Sequence, residues 1–292
     1  GITYIQEQDF TWGVLAINVN KSIYLPNEDS FIGIAVLDDQ GHMVCNADVT
    51  LTITNPLNEK TILSTNNNEI KISPECEVLG VTELPDYYTN YTVSGVGNYT
   101  MNLTAVTYNG IRNIIDKFVV LSAVDFDVAR HGPTRVYPAV GYTMKIPIIA
   151  NKNYDGAINE YVPSTFAITP QDGLIVTTIN ETSILSWNVN LKKDETINLY
   201  YEFDAPDISP EFYLLGPLDI GAFAEARNWQ IANDAPAKLI DNSFSCDKTS
   251  IAVGETTLCT GDYSNSGNDF AETCTVQIND EGITALSNSF GV

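Results

Sequence analysis

Along most of this chain apolar and polar residues alternate with a period of two, and helical periodicity is nearly absent. From Tyr99 to Ala105 the residues Tyr99, Met101, Leu103 and Ala105 fall on one face. Asn98, Thr100, Asn102 and Thr104 fall on the other. Leu185, Trp187, Val189 and Leu191 repeat the pattern, as do Ile197, Leu199, Tyr201 and Phe203. Strands with one wet face belong to antiparallel sheets. Short strands parted by Gly, Asn, Asp and Pro turns favour sandwiches. The expected class is all-β: tandem immunoglobulin-like antiparallel β-sandwich modules, the last one incomplete.

Length and turn signals divide the chain. Its 292 residues suffice for two or three domains. Residues 1–9 read as a linker or a strand donated to another sheet edge. A first module spans 10–121, with strands over Trp12–Asn18, Ser30–Leu37, Asp48–Thr54, Asn98–Thr107 and Lys117–Leu121. The turn Asp38-Asp39-Gln40-Gly41 places glycine where a positive φ is expected. A second module spans 122–234. Within it, residues 206–221 carry three prolines and read as an irregular, edge-like segment. Residues 221–234, GAFAEARNWQIAND, read as a short helix. A third module, 235–292, has room for only three or four strands. The chain opens on GITYIQEQDF and closes on SNSFGV, so it reads as a mature or excised piece of something longer.

Charge narrows the partners. Asp and Glu number 37 against 14 Lys and Arg, a net charge of -23. Such a surface repels nucleic-acid backbones and anionic lipid. No apolar run is long enough for a membrane-spanning helix. The expected partners are other copies of the chain, neighbouring modules of the same surface protein, and glycans.

The five cysteines form no CxxC pair and have no histidine at ligand spacing, which argues against zinc. Cys45 and Cys76 share a module and are expected to pair, which implies an oxidising compartment. Cys246, Cys259 and Cys274 allow three single pairings. Cys246 with Cys259 is favoured because they flank one apparent hairpin, and the leftover thiol is then free or paired beyond Val292.

The pattern of residues 21–56, KSIYLPNEDSFIGIAVLDDQGHMVCNADVTLTITNP, resembles the macroglobulin-type immunoglobulin-like domain of large prokaryotic multidomain cell-surface proteins. The matching residues are Lys21, Ile23, Tyr24, Pro26, Glu28, Val36, Asp38, Gly41, Ala47, Val49 and Pro56. Gly97-Asn98-Tyr99-Thr100 followed by Asn109-Gly110 looks like the closing strands of the same module. The second module is similar, more loosely, to repeat domains that stack in such proteins, with a strand like Tyr142–Asn151 followed by a loop over Tyr154–Pro163. The thioester segment of macroglobulins, of Cys-Gly-Glu-Gln type, has no counterpart, since Cys76 lies in PECEVLG. The resemblance implies a fold and an extracellular, cell-surface location, not protease trapping.

Little else points to chemistry. Five glycosylation sequons occur, at Asn20, Asn90, Asn98, Asn102 and Asn180. Asn98 and Asn102 share the polar face of one strand, roughly 13 Å apart, which leaves room for two glycans. Only two histidines exist, His42 and His131, both beside turn glycines, and no G-x-S-x-G elbow accompanies them. The carboxylate pairs Asp38/Asp39, Glu75/Glu77 and Asp125/Asp127 fall mostly at turns. Trp187 reads as core, and Trp12 and Trp229 as inter-module contacts. No cofactor is called for by a motif. The ion that the oxygen-rich loops 151–156 and 265–269 would take is calcium. The expected role is therefore a non-enzymatic structural surface protein, a surface-layer, stalk or filament subunit. The competing role is an adhesin or carbohydrate-binding module of a larger secreted protein.

Overall fold

The computed structural model describes residues 13–76, 82, 84–138, 140–234, 239–248, 257–265, 274–280 and 283–290. Among them every regular element is a strand. The chain divides into two compact units, Gly1–Asp234 and Ala235–Val292.

The first unit holds two immunoglobulin-like sandwiches. The first is built from β1 (Leu15–Val19), β2 (Ile23–Tyr24), β3 (Asp29–Val36), β4 (Asp48–Thr54), β5 (Lys60–Ser64), β6 (Lys71–Ile72), β7 (Tyr87–Thr92), β8 (Gly97–Thr107) and β9 (Gly110–Val120). Its sheets run β1-β3-β7-β6 and β2-β9-β8-β4-β5. The alternation in β8 is realised residue by residue: Tyr99, Met101, Leu103 and Ala105 are buried, while Asn98, Thr100 and Asn102 face solvent. Opposite them Leu51 and Ile53 of β4 and Ile32 and Ile34 of β3 close the core. Burying such side chains stabilises by about 1.5–3 kcal/mol each. Tyr24 packs edge-on against Phe118, which stacks on Tyr99 at 4.9 Å. Gly41 takes the left-handed φ of 88° that its turn requires. Asp38 Oδ1 accepts the backbone N–H of Gln40 and of His42 there.

The second sandwich comprises β10 (Phe126–Val128), β11 (Arg135–Val136), β12 (Tyr142–Ala150), β13 (Tyr154–Pro163), β14 (Ala167–Ile168), β15 (Leu174–Ile179), β16 (Thr182–Leu191), β17 (Thr196–Asp204), β18 (Glu211–Leu215), β19 (Asp219–Ile220), β20 (Phe223–Ala224) and β21 (Trp229–Asn233). One sheet runs β10-β12-β17-β14 and the other β15-β16-β13-β19-β20. A third, β11-β21-β18, lies toward the first sandwich. Trp187, Tyr201, Phe203 and Ile146 are among its core residues.

Two sequence expectations are corrected here. The loop expected over Tyr154–Pro163 is the strand β13, paired with β16 from Tyr154↔Leu191 to Pro163↔Thr182. Its alternation was masked because the charged Glu160 occupies an inward position between Ile158 and Val162. The helix expected over 221–234 is two strands in different sheets, β20 and β21. All five residues of β21 are buried, so the wet face that betrays a strand is missing. The edge-like reading of the proline-rich 206–221 segment agrees with the structure: it contains β18, the edge strand of its sheet, paired with β21 along its whole length.

Among its described residues the second unit has two hairpins: β22 (Leu239–Cys246) with β23 (Cys259–Asn265), and β24 (Cys274–Asp280) with β25 (Ile283–Phe290).

Candidate functional site

The most heavily built polar region is the seam between the two sandwiches, and small residues make it. On β3 the outward positions Gly33 and Ala35 are buried, where Asp29 and Phe31 further along are exposed. A Cβ on Gly33 would stand 3.1 Å from Pro85 and 3.3 Å from Thr134 Oγ1, so any other residue would press these neighbours outward by a few tenths of an ångström. Val14, Ala16, Ala35, Leu37 and Ala232 form a small apolar cluster there, with Met43 and Phe212 against it.

β1 is an edge of its sheet, and an open edge exposes unpaired backbone groups. Side chains of the second sandwich close it. Ile17 N–H donates to Gln230 Oε1 at 2.9 Å, and Ile17 O accepts from Arg227 Nη2 at 2.7 Å. Asn18 Nδ2 donates to Gln230 O at 2.7 Å, and Gln230 N–H donates to Asn18 Oδ1 at 2.8 Å. Two amide side chains thus stand in for the missing strand ladder. Arg227 and Gln230 also converge on Asp116 Oδ2, at 2.6 and 2.8 Å.

Two buried arginines anchor the region. Arg135 Nε donates to Asp86 Oδ1 at 2.8 Å, across the seam, and its Nη1 to Asp234 Oδ2 at 2.6 Å. Arg130 grips Glu160 with both Nη atoms at 2.8 and 2.7 Å, and Glu225 through Nε at 2.9 Å. Tyr201 O–H donates to Glu160 and Leu218 N–H to Glu225. Burial pushes the Asp86 and Glu160 carboxyls above their ordinary range, and the arginines draw them only part of the way back. Burial also drives the Tyr201 phenol well up. A further tie is Lys21, whose Nζ lies 2.8 Å from both Glu28 and Asp127 of the second sandwich. All four arginines of the chain are buried, at 2–8% exposure.

Sequence reasoning missed these arginines. The available signals were an inward carboxylate in β13 and the small residues at the outward positions of β1 and β3. Asp86, Glu160, Glu225 and Asp234 are each held by a guanidinium and are buried.

The residues singled out from sequence scatter over the unit. Cys45 and Cys76 are joined by a disulfide with 5.8 Å between Cα atoms, tying the β3–β4 loop to the loop after β6. Cys246 and Cys259 are joined as opposed residues of the β22–β23 hairpin. Such bonds belong to an oxidising compartment. Asn90, Asn98 and Asn180 are exposed, Asn180 in the β15–β16 turn with φ 55°. Asn102 is exposed but accepts a hydrogen bond from Asn113. Asn20 is half-buried at the seam, with Oδ1 taken by Tyr24 O–H and Phe31 N–H. Trp187 and Trp229 are both buried in the second core, and Trp229 donates to Pro133 O at 2.7 Å.

The carboxylate pairs serve structure: Asp125 pairs with Lys152, Asp127 with Lys21, and Asp38 accepts from Tyr108. His42 lies 3.5 Å from Asp38. Among the described residues no group of His, Cys, Asp and Glu is placed to hold a metal. In loop 151–156, Asn153 Oδ1 already accepts Lys193 N–H. Trp12, Glu77, residues 1–9 and all of loop 265–269 except Asn265 lie outside the described residues.

Fold and seam define a chain of tandem immunoglobulin-like β-sandwiches, two of them joined by a polar interface. Among solved structures the chain is similar to native Escherichia coli α2-macroglobulin (10% identity, TM-score 0.29), covering 80% of this chain and 18% of that one. It is also similar to methylamine-reacted Salmonella α2-macroglobulin (12%, TM-score 0.27; 97% and 20%). A Bacillus thuringiensis chitinase is a third (14%, TM-score 0.25; 69% and 28%). The chain thus spans less than a third of the length of each of these proteins. No family model and no curated protein matches it.

Proposed function

We propose that the chain is a structural subunit of an extracellular surface protein, of the surface-layer, stalk or filament kind, and not an enzyme. The observation that carries this reading is the seam: cations and amides are spent on fixing one sandwich against the other. A two-module piece with one fixed geometry is what a repeating assembly requires. Copies then associate through sheet edges. The edge strand β15, LIVTTI, suits that role, with Ile175, Val176 and Ile179 exposed and no charge along it. On this reading, glycans sit on the exposed sequons.

Negative-stain microscopy of the purified chain tests the proposal. Fibres or lattices are expected, and Val176→Lys should disperse them without shifting the thermal melt. Monodisperse particles at every concentration tried would rule out self-assembly.

A further inference from the structure

A groove crosses the outer face of the second sandwich and reaches the seam. The backbones of His131 and Lys145 exchange both hydrogen bonds, at 2.9 Å each, and Lys145 lies in register with Tyr200. His131, bridged to β12 outside any strand, thus forms one row with Lys145 of β12 and Tyr200 of β17, roughly 10 Å across. Asn198 and Glu202 flank Tyr200 on the same face of β17, all three exposed. The hollow over this row is about 470 Å³. Through His131 it adjoins a second hollow of about 240 Å³ against Asn20, Phe31 and Leu84 of the first sandwich. Tyr200 is 53% and Phe31 38% exposed, so each end offers an aromatic ring.

The chemistry selects among ligands. β12 is internal, and on the far side of β17 Thr169 N–H donates to Glu202 O and Gln171 Nε2 to Tyr200 O, so a peptide strand added beside the row would find these acceptors taken. The net charge of -23, with Glu202 in the lining, disfavours anions. What remains are ring faces framed by amide, carboxylate and ammonium groups. Those groups stack on the apolar face of a pyranose and hydrogen-bond its hydroxyls. The geometry points to a binding groove for a neutral oligosaccharide, with Tyr200 as the stacking platform and Lys145, Asn198 and Glu202 as hydroxyl partners.

Calorimetric titration of the full chain with cellohexaose, chitohexaose and mannohexaose tests this. At least one should bind. Tyr200→Ala should weaken that binding about tenfold or more, while Tyr200→Phe, which keeps the ring, should retain it. The thermal melt of both variants should match the parent, because the ring is exposed. The proposal fails if none of the three binds at millimolar concentration, or if Tyr200→Ala binds like the parent. Tighter binding of a hexagalacturonate than of any neutral sugar also overturns it.

Discussion

Two arginines five residues apart, Arg130 and Arg135, each hold two buried carboxylates, and their partners differ instructively. Glu160 and Glu225, which hold Arg130, both belong to the second sandwich, so that cluster fixes the inside of one fold. Arg135 takes Asp86 from the first sandwich and Asp234 from the end of the second, so the same chemistry there fixes an orientation between folds. Removing one partner from a buried ion cluster strands the other charges, typically at a cost of about 3–5 kcal/mol. The two sites should thus be comparable in energy and different in what fails.

Arg130→Ala should have the largest effect, about 3–5 kcal/mol, because it leaves two carboxylates sealed in one core. Urea unfolding followed by tryptophan fluorescence reads this directly, since Trp187 and Trp229 both lie in that core. A loss under 1 kcal/mol would mean that the cluster can be dispensed with. Arg135→Ala should cost nearer the lower end of that range. Its signature is the loss of joint unfolding, so one thermal transition becomes two. A single transition at lower temperature would assign Arg135 to global stability and not to coupling.

A smaller effect concerns alkali. Burial raises the Tyr24 phenol from 10.0 to about 12, and Tyr87 likewise. The unfolded chain ionises first, so this stability is intact below pH 10 and is lost between 10 and 12. For the deeply buried Tyr24 it amounts to about 2–3 kcal/mol. Lys21 reinforces the trend: burial opposes its charge, Asp127 and Glu28 outweigh burial and raise its pKa above the ordinary 10.5, so its contribution is intact below that pH and is lost as pH climbs through the raised value. Melting temperature against pH should fall across this window, and less steeply in Tyr24→Phe. An equal slope in both proteins would remove Tyr24 from the account.

β4 and β8 were legible because each keeps one wet face, and they came out nearly at their true limits. β1, buried along its whole length, still fell, all but Val19, within the strand expected over Trp12–Asn18. Legibility ended in the second sandwich. In β21 the pattern collapses into a uniformly buried run that imitates a helix segment, and in β13 an inward glutamate breaks the hydrophobic face. The seam was hidden for a further reason. Its ion pairs between the two sandwiches join residues 49 to 111 positions apart, and no local spacing marks such partners. Arginine and carboxylate look alike in sequence whether they are solvated or sealed.

Asp234 is the last residue of the first unit, and its carboxylate is clamped by Arg135 while its backbone N–H holds Val136 O at 2.8 Å. Tension arriving along the chain from residues 235–292 therefore reaches Arg135 and, through it, Asp86. Asp234 also continues directly from β21, whose backbone is paired with β18 and β11 up to Asn233. The exit of the chain from the second sandwich is thus held by a backbone ladder and a guanidinium clamp together, and the clamp alone reaches the first sandwich.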